Sequence, residues 1–312
     1  MNELHHDDGI LVADDGHRIP LQTWTPDGDA RGVIQMLHGL GEHIGRYERF
    51  AHAAVARGFV VYGHDHRGHG RSEGERGYFA DEQGWHKVVE DVRIVNEHIA
   101  EAQAGKPVIM LGHSMGSFIA ETFAMHYGER LQGLLLSGSS WPQRIQLLPG
   151  RLLAKLESFR VGKRGNSALI NALGFSAFNR PFRPVRTEMD WLSRDETEVD
   201  RYVDDPLCGG PFTCGLWLDF LGGLFELGSD NAVARVPADL PILITGGSAD
   251  PVGGDKGMTR LAMHYMQTMH QRVKLKIYPD GRHEMLNEIN RDEVTQDWLD
   301  WVGATTGTSR SG

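Results

Sequence analysis

The stretch Gly112–Gly116, with sequence Gly-His-Ser-Met-Gly, joins an apolar run at 107–111 to a run with helical periodicity at 115–123. A serine between two glycines at a strand-to-helix junction predicts a sharp turn that lifts the hydroxyl clear of a sheet. The glycines have a steric reason, because a Cβ on either flank would collide where the two backbones come close. We therefore expect Ser114 to be a nucleophile at a helix N-terminus, where developing negative charge is stabilised. An ordinary glycine-rich turn is the competing interpretation.

Strands and helices alternate on both sides of this junction. Apolar runs predict strands near 33–37, 59–63, 107–112, 132–137, 241–246 and 273–278, and helical periodicity predicts helices near 46–57, 84–103, 115–127, 256–270 and 292–302. Asp15-Gly16 between two further apolar runs indicates an amino-terminal hairpin. The alternation predicts an α/β fold, with a mostly parallel central sheet and helices on both faces.

About 100 residues separate the strands near 137 and 241, far more than an ordinary connection between a strand and a helix. We expect a core formed by 1–140 and 236–303, a cap inserted at 141–235, and a disordered tail at 304–312. Within the cap, a stripe of leucines at helical spacing precedes several aromatic residues; the stripe comprises Leu147, Leu148, Leu152, Leu153 and Leu156. These residues either pack as the core of the cap or line an acyl-chain tunnel whose apolar mouth contacts lipid.

A serine hydroxyl needs a base to accept its proton and a third group to orient that base. Asp250 follows the strand predicted near 241–246, and His283 follows the strand predicted near 273–278. Both loops open on the edge of a parallel sheet where Ser114 is expected, and this edge is where such sheets bind ligands. We therefore predict Ser114, Asp250 and His283 as a catalytic triad, with Asp255 and Asp280 as competing acids.

An oxyanion hole requires two backbone N–H groups aimed at the position where negative charge develops. One is expected from Met115, immediately after the nucleophile, and the other from the loop that follows an early central strand. The glycine-rich loop 38–42 follows the strand predicted at 33–37, and the Leu40 amide is its best candidate. A loop that only turns the chain is the alternative.

Three segments together resemble the monoacylglycerol lipases of the α/β-hydrolase superfamily. They are His38–His43 followed by Arg46-Tyr47, which matches H-G-x-G-E-H-x-x-R-Y, the segment 65–76, and the serine motif at 112–116. Bacterial esterases described as lysophospholipases carry the same motifs. The resemblance covers roughly residues 10 to 303, although 141–235 carries no matching motif. It implies an α/β-hydrolase fold and a serine hydrolase without a cofactor that acts on carboxylic esters with an acyl chain.

The resemblance also implies a binding site for the alcohol part of the substrate, formed by Glu42, Arg46 and the residue at 286. The sequence departs from the animal monoacylglycerol lipases at two positions. Leu40 stands where they have a small residue, and Leu286 stands where they have a second histidine. We therefore expect broad esterase activity, with monoacylglycerols accepted without strong preference.

Other functions use the same residues. An acyltransferase would pass the acyl-enzyme to an alcohol or amine, and a lysophospholipase would differ only in its leaving alcohol. An aminopeptidase would need a carboxylate to hold the free amine of its substrate. A non-catalytic binding module is the function that the sequence favours least, because Ser114, Asp250 and His283 are all present.

The composition limits the kinds of partner that the protein is expected to bind. A net charge of −10 argues against binding to nucleic acid or to an anionic membrane surface. The histidines lack a zinc-ligand spacing, as do Cys208 and Cys214, so we expect no metal and no cofactor. No signal peptide or transmembrane segment is apparent, and a reducing cytoplasm is expected. The expected partner is a small acyl ester, with at most transient lipid contact through the cap, and the oligomeric state stays open.

Overall fold

Eight strands form one sheet within residues 5–175, 177–229 and 231–307, which the computed structural model describes. They are β1 (His5–Val12), β2 (Arg18–Thr25), β3 (Gly32–Leu37), β4 (Phe59–His64), β5 (Val108–His113), β6 (Gly133–Ser137), β7 (Ile242–Gly247) and β8 (Val273–Tyr278). Their order across the sheet is β1-β2-β4-β3-β5-β6-β7-β8. Strand β2 runs antiparallel to β1 and β4, and all other pairs are parallel, which confirms the predicted mostly parallel sheet.

The nine helices of the described residues lie between and after these strands. They are α1 (Glu48–Ala56), α2 (Gly84–Ala102), α3 (Met115–Tyr127), α4 (Arg144–Val161), α5 (Ala168–Phe175), α6 (Glu196–Asp204), α7 (Cys214–Leu227), α8 (Gly254–Gln267) and α9 (Arg291–Thr306). Helices α1 and α9 pack on one face of the sheet, and α2, α3 and α8 pack on the other. Successive residues of β5 alternate between the two cores, with Ile109 on the first face and Met110 on the second, as a strand buried on both faces requires.

The carboxyl-terminal helix is longer than the sequence pattern predicts. Helix α9 continues to Thr306, so residues 304–306 are helical and do not belong to a disordered tail. Thr305 is buried, and Thr306 donates a hydrogen bond to the carbonyl oxygen of Val302 at 3.0 Å. Small polar residues therefore continue this helix because its packing and its own hydrogen bonds hold them. Residues 308–312 of the predicted tail lie outside the described residues.

The long insertion between β6 and β7 contains α4 to α7, which lie over the edge of the sheet where the parallel strands end. Helices α4 and α7 pack against each other. The predicted leucine stripe on α4 divides between two faces. Leu147 and Leu153 are partly buried against the core, whereas Leu148, Leu152 and Leu156 are 49–59% exposed. The insertion thus has both an inward apolar face and an outward one.

Candidate active site

Ser114 occupies the turn between β5 and α3 in a conformation that few residues other than glycine adopt. Its φ of 52° and ψ of −120° are strained for a residue with a side chain. A Cβ on Gly112 would overlap the Gly116 carbonyl, and a Cβ on Gly116 would overlap the Leu37 carbonyl. The flanking residues are buried, while Ser114 is half-buried and faces a cavity. This is the local geometry expected of an activated serine.

His283 and Asp250 meet at the same edge, from the loops after β8 and β7. His283 Nδ1 lies 2.9 Å from Asp250 Oδ1, which also accepts the Val252 N–H at 2.9 Å. Both side chains are buried. The competing acids Asp255 and Asp280 are exposed. Because Nδ1 is bound to the carboxylate, Nε2 is the ring nitrogen left to receive a proton.

The environment of His283 favours its protonated form. Burial alone would lower the pKa of the imidazole, but the Asp250 carboxylate and its hydrogen bond outweigh burial and raise the pKa above the ordinary value. The neighbouring His113 responds in the opposite direction, since burial and the nearby His283 lower its pKa to about 4. His113 is therefore neutral at physiological pH, and its ring centroid lies 4.8 Å from that of His283.

The inserted helical segment supplies part of the packing around His283. The Trp191 ring lies 4.9 Å from the His283 ring, and the Leu192 carbonyl accepts the Glu284 N–H at 2.8 Å. The sequence predicts Trp191, with the other aromatic residues of the insertion, as cap core or as lining of an acyl-chain tunnel, but it does not indicate the contact with His283. The available signal was its position in an apolar segment of the insertion, and nothing local connects it with a residue 92 positions later.

A cavity of about 310 Å³ joins Ser114 and His283. One end is polar and contains Glu42, His113 and Glu284. The remaining wall is mostly apolar and is built largely by the insertion; it includes Leu147, Phe178, Trp191, Leu192, Trp217, Phe220, Leu221 and Leu224. An apolar chamber that meets a serine and a histidine at a polar end suits a ligand with one apolar and one polar part.

The loop after β3 passes directly beside Ser114. A Cβ on Gly39 would lie 3.2 Å from the Ser114 Cβ, and the Gly39 N–H already donates to Glu42 Oε1 at 2.6 Å. Leu40, the next residue, lines the cavity. The loop after β3 thus lies next to Ser114, and Met115 directly follows Ser114 at the start of α3, but the oxyanion hole formed by the Leu40 and Met115 amides stays a prediction.

A second glycine-rich loop, which follows β4, braces the loop after β3. The His66 N–H donates to His38 Nε2 at 2.9 Å, and the Ile44 N–H donates to Asp65 Oδ1 at 2.8 Å. A Cβ on Gly70 would overlap the Asp65 carboxylate. The 65–76 segment thus has a structural role, since its hydrogen bonds hold the backbone beside Ser114 in position.

Glu42, Arg46 and Glu284 form a buried ionic cluster beside His283. Arg46 binds both oxygens of Glu284 at 2.6 and 2.7 Å and Glu42 Oε2 at 2.6 Å. Burial alone would raise the pKa of the two carboxyls, but the Arg46 guanidinium outweighs it and lowers both values. Two carboxylates and one guanidinium leave this cluster with a single net negative charge.

The cluster changes the interpretation of the predicted alcohol-binding residues. Glu42 lines the cavity beside Ser114, as does Glu284, which no sequence motif marks as a site residue. Arg46 and Leu286 lie behind this wall, where they line a crevice of only about 10 Å³. Neither residue lines the larger cavity in this structure, and their role in binding the alcohol stays a prediction. Arg46 is instead held by the ion pairs with Glu42 and Glu284, whose carboxylates do line the cavity.

The sheet order, the serine elbow and the insertion after β6 define the class: this protein is an α/β-hydrolase. The chain belongs to the family Hydrolase_4, described as "Serine aminopeptidase, S33", whose model matches residues 28–290.

Known relatives agree with this membership over nearly the whole chain. The chain is 32% identical to the monoacylglycerol lipase of Mycolicibacterium smegmatis over 92% of its own length and 93% of the relative's. It is 33% identical to the human monoglyceride lipase over 96% and 92% of the two chains. A thermostable carboxyl esterase from Bacillus coagulans, solved in complex with glycerol, superposes with a TM-score of 0.89 at 28% identity and covers 96% and 99% of the chains.

The protein is accordingly a serine hydrolase that cleaves carboxylic esters, and its substrates are small molecules. In the part of the chain that the structure describes, none of the helices combines the length and apolar character needed to cross a membrane.

Proposed function

We propose that Ser114, His283 and Asp250 cleave acyl esters of small alcohols, monoacylglycerols among them, through an acyl-enzyme. The observation that carries this proposal is the position of Ser114 and His283 at the polar end of an apolar cavity. The names of the relatives support the substrate class, since two of them are monoacylglycerol lipases and a structural neighbour holds glycerol.

In this mechanism, Ser114 Oγ attacks the ester carbonyl while His283 Nε2 takes its proton. The carbonyl oxygen becomes an oxyanion that the Leu40 and Met115 amides bind. When the tetrahedral intermediate collapses, the C–O bond to the alcohol breaks and His283 returns the proton to the leaving oxygen. A water molecule, deprotonated by His283, then attacks the acyl-enzyme. The bond between the acyl carbon and Ser114 Oγ breaks, His283 returns the proton to Oγ, and the carboxylic acid leaves. Asp250 orients His283 and stabilises its charged form throughout.

The acyl chain occupies the apolar part of the cavity. Its volume of about 310 Å³ lies at the small end of ligand pockets, which span about 300–1,000 Å³. Leu147 on α4 and Trp217 on α7 line this apolar part of the cavity. These two helices of the inserted segment therefore limit the length of acyl chain that fits. We therefore expect chains of intermediate length to react best.

The alcohol occupies the polar end near Glu42 and Glu284. Their oxygens accept hydrogen bonds, so they favour hydroxyl donors, and the net negative charge of the cluster opposes an anionic head group. Arg46 does not counter this, because two carboxylates already bind it. Neutral alcohols are thus expected to leave more readily than phosphorylated ones.

The outward face of α4 supplies a surface for lipid contact. Ile145, Leu148, Leu152, Leu156 and Phe159 are all 49–79% exposed and recur every three or four residues. Leu147, on the opposite side of the helix, lines the cavity. An apolar face this close to the cavity suits transient contact with a lipid aggregate that delivers substrate. The cytoplasmic location expected from the sequence stays a prediction.

An ester panel tests the substrate assignment. We would measure kcat/KM for p-nitrophenyl esters from acetate to palmitate, and for monocaprylin, methyl octanoate and lysophosphatidylcholine. We expect a maximum at intermediate chain length. We also expect a monocaprylin preference over methyl octanoate below about 10³-fold, since the oxygens of Glu42 and Glu284 already accept hydrogen bonds within the protein. Flat dependence on chain length would contradict the acyl-chain assignment. Adding an acceptor alcohol separates hydrolysis from acyl transfer, because a transferase would form the new ester as its main product.

Leu152→Glu tests the lipid surface. This variant should lose binding to neutral phospholipid vesicles in a sedimentation assay while it hydrolyses a soluble ester at the wild-type rate. Met263→Glu, an exposed apolar residue on α8, is the matched control and should bind vesicles like the wild type. Equal vesicle binding by all three proteins would refute the lipid-contact role of α4.

A further inference from the structure

His43, Asp205 and Cys208 come together on the far side of the loop that carries Leu40. One ligand atom from each residue, an imidazole nitrogen, a carboxylate oxygen and a thiol sulfur, lies within 4.8 Å of the other two. His43 is more than 160 positions away from the other two in sequence. The spacing of residues along the chain therefore predicts no metal site, and only the fold assembles this group.

Hydrogen bonds and one tight turn position the three residues. His43 Nε2 lies 2.8 Å from Asp205 Oδ2, and the Leu207 N–H donates to the other oxygen, Oδ1, at 2.8 Å. The Cys208 N–H donates to the Asp205 carbonyl oxygen at 3.0 Å, so one tight turn presents both the carboxylate and the thiol. Cys208 forms no disulfide and is half-buried. Hydrogen bonds thus fix the imidazole and the carboxylate, and the turn brings the thiol to them through the backbone of Cys208.

We propose that His43, Asp205 and Cys208 bind a thiophilic divalent cation, with Zn²⁺ as the best fit. Nitrogen, carboxylate oxygen and sulfur are the three ligand types that Zn²⁺ takes in proteins. Tetrahedral Zn²⁺ with bonds of about 2.0–2.3 Å holds its ligand atoms roughly 3.3–3.6 Å apart. The observed separations, from 2.8 Å to less than 4.8 Å, bracket that range, so small side-chain rotations complete the site.

Binding of the cation displaces one proton from the site. The Cys208 thiol releases its proton to solvent as the Zn–S bond forms, and the proton of His43 moves to Nδ1 so that Nε2 donates its lone pair. The fourth position is left to water. His43 and Asp205 expose 14% and 27% of their side chains, which gives the ion a path from solvent.

The ion would join the inserted segment to the loop beside Ser114. These two parts already touch, since the Gly41 carbonyl oxygen accepts the Gly209 N–H at 2.7 Å and the Tyr202 hydroxyl at 2.8 Å. Gly41 directly follows Leu40, whose amide is proposed to bind the oxyanion. A bound cation therefore cross-links the cap to the oxyanion loop, without taking a ligand from the proposed triad.

Cobalt substitution tests the site in the full chain. After treatment with a chelator, Co²⁺ should give a near-ultraviolet thiolate-to-metal band in the wild type, and Cys208→Ser should abolish it. The affinity for Zn²⁺, measured by competition with a chromophoric chelator, should fall by about 10-fold or more in Cys208→Ser and in His43→Gln. Cys214→Ala, which removes a buried cysteine outside the cluster, should leave band and affinity unchanged.

Three results would overturn the proposal. A wild-type cobalt spectrum without a thiolate band would show that Cys208 is not a ligand. A band that persists in Cys208→Ser would show that a different thiol binds the cobalt ion. Zn²⁺ affinity that is unchanged in both ligand variants would place the bound ion at another site. Because metal binding is measured without substrate, these outcomes are independent of the esterase assignment.

Discussion

Glu121 offers a quantitative test of the structure, because a carboxyl is buried in the middle of α3. Only 3% of the residue is exposed, its Oε1 accepts the Tyr265 hydroxyl at 3.0 Å, and its Oε2 accepts the Ser139 hydroxyl at 3.5 Å. Its hydrogen-bond partners in the described part of the chain include no cation. Burial therefore dominates and raises the pKa of Glu121 from 4.5 to about 8.

The sign of the effect on stability follows from proton binding. Above pH 4.5 the unfolded chain loses this proton, while the folded protein keeps it until about pH 8. The folded state then binds more protons, so the free energy of unfolding falls as pH rises through this window. One pKa unit corresponds to about 1.36 kcal/mol. The contribution of Glu121 to the free energy of unfolding should therefore be about 3–4 kcal/mol less favourable at pH 8 than at pH 5.

Glu121→Gln removes this penalty, because an amide stays neutral at both pH values. We expect the stability of the variant relative to the wild type, measured by urea unfolding, to increase by about 3–4 kcal/mol between pH 5 and pH 8. Any constant difference in amide packing cancels in this comparison. Glu129→Gln is the control, since Glu129 is exposed to solvent. A Glu121→Gln difference that is the same at both pH values would refute the assignment of a neutral buried carboxyl.

Three further predictions concern the site. Ser114→Ala should reduce ester turnover by about 10⁴-fold or more with the fold retained by circular dichroism, and fluorophosphonate labelling that survives the change would exclude Ser114 as nucleophile. The raised pKa of His283 should place the acidic limb of the kcat/KM profile above pH 6.5. Asp250→Asn should lower that limb and reduce kcat about 10⁴-fold, whereas Asp255→Asn should stay near wild type. A large loss in Asp255→Asn with little loss in Asp250→Asn would show that Asp250 is not the acid that orients His283. Glu284→Gln should raise kcat/KM for octanoyl glycerol phosphate relative to monocaprylin roughly tenfold, since it removes a charge from the cavity wall; an unchanged ratio would exclude electrostatic selection there.

Features that depend on neighbours in sequence were predictable. The elbow at Ser114 needs only a strand, two glycines and a helix, all within the stretch 107–123, and the structure has β5 and α3 at these positions. The placement of Asp250 and His283 at one edge follows from parallel strands, whose carboxyl ends share that edge. The elbow and the mostly parallel sheet thus follow from local patterns and one topological rule.

Features that depend on distant partners were not predictable. Arg46 and Glu284 are 238 positions apart, and nothing near Arg46 in sequence indicates that Glu284 is its bidentate partner. Periodicity marks Leu147 and Leu148 as one apolar stripe, but only the packing of α4 on α7 determines which of them turns inward. Long-range electrostatics and helix orientation therefore account for the differences at this site.

The order of the three proposed catalytic residues along the chain determines when the active site can form during synthesis. Ser114 and its elbow are synthesised before the inserted segment, whereas Asp250 and His283 follow it. Trp191 of the inserted segment packs beside His283, and α9, which covers one face of the sheet, follows His283 in the chain. During translation the ribosome-bound chain therefore carries a serine without its base. Hydrolytic capacity therefore arises only after the segment that carries His283 has been synthesised and has folded beside Ser114.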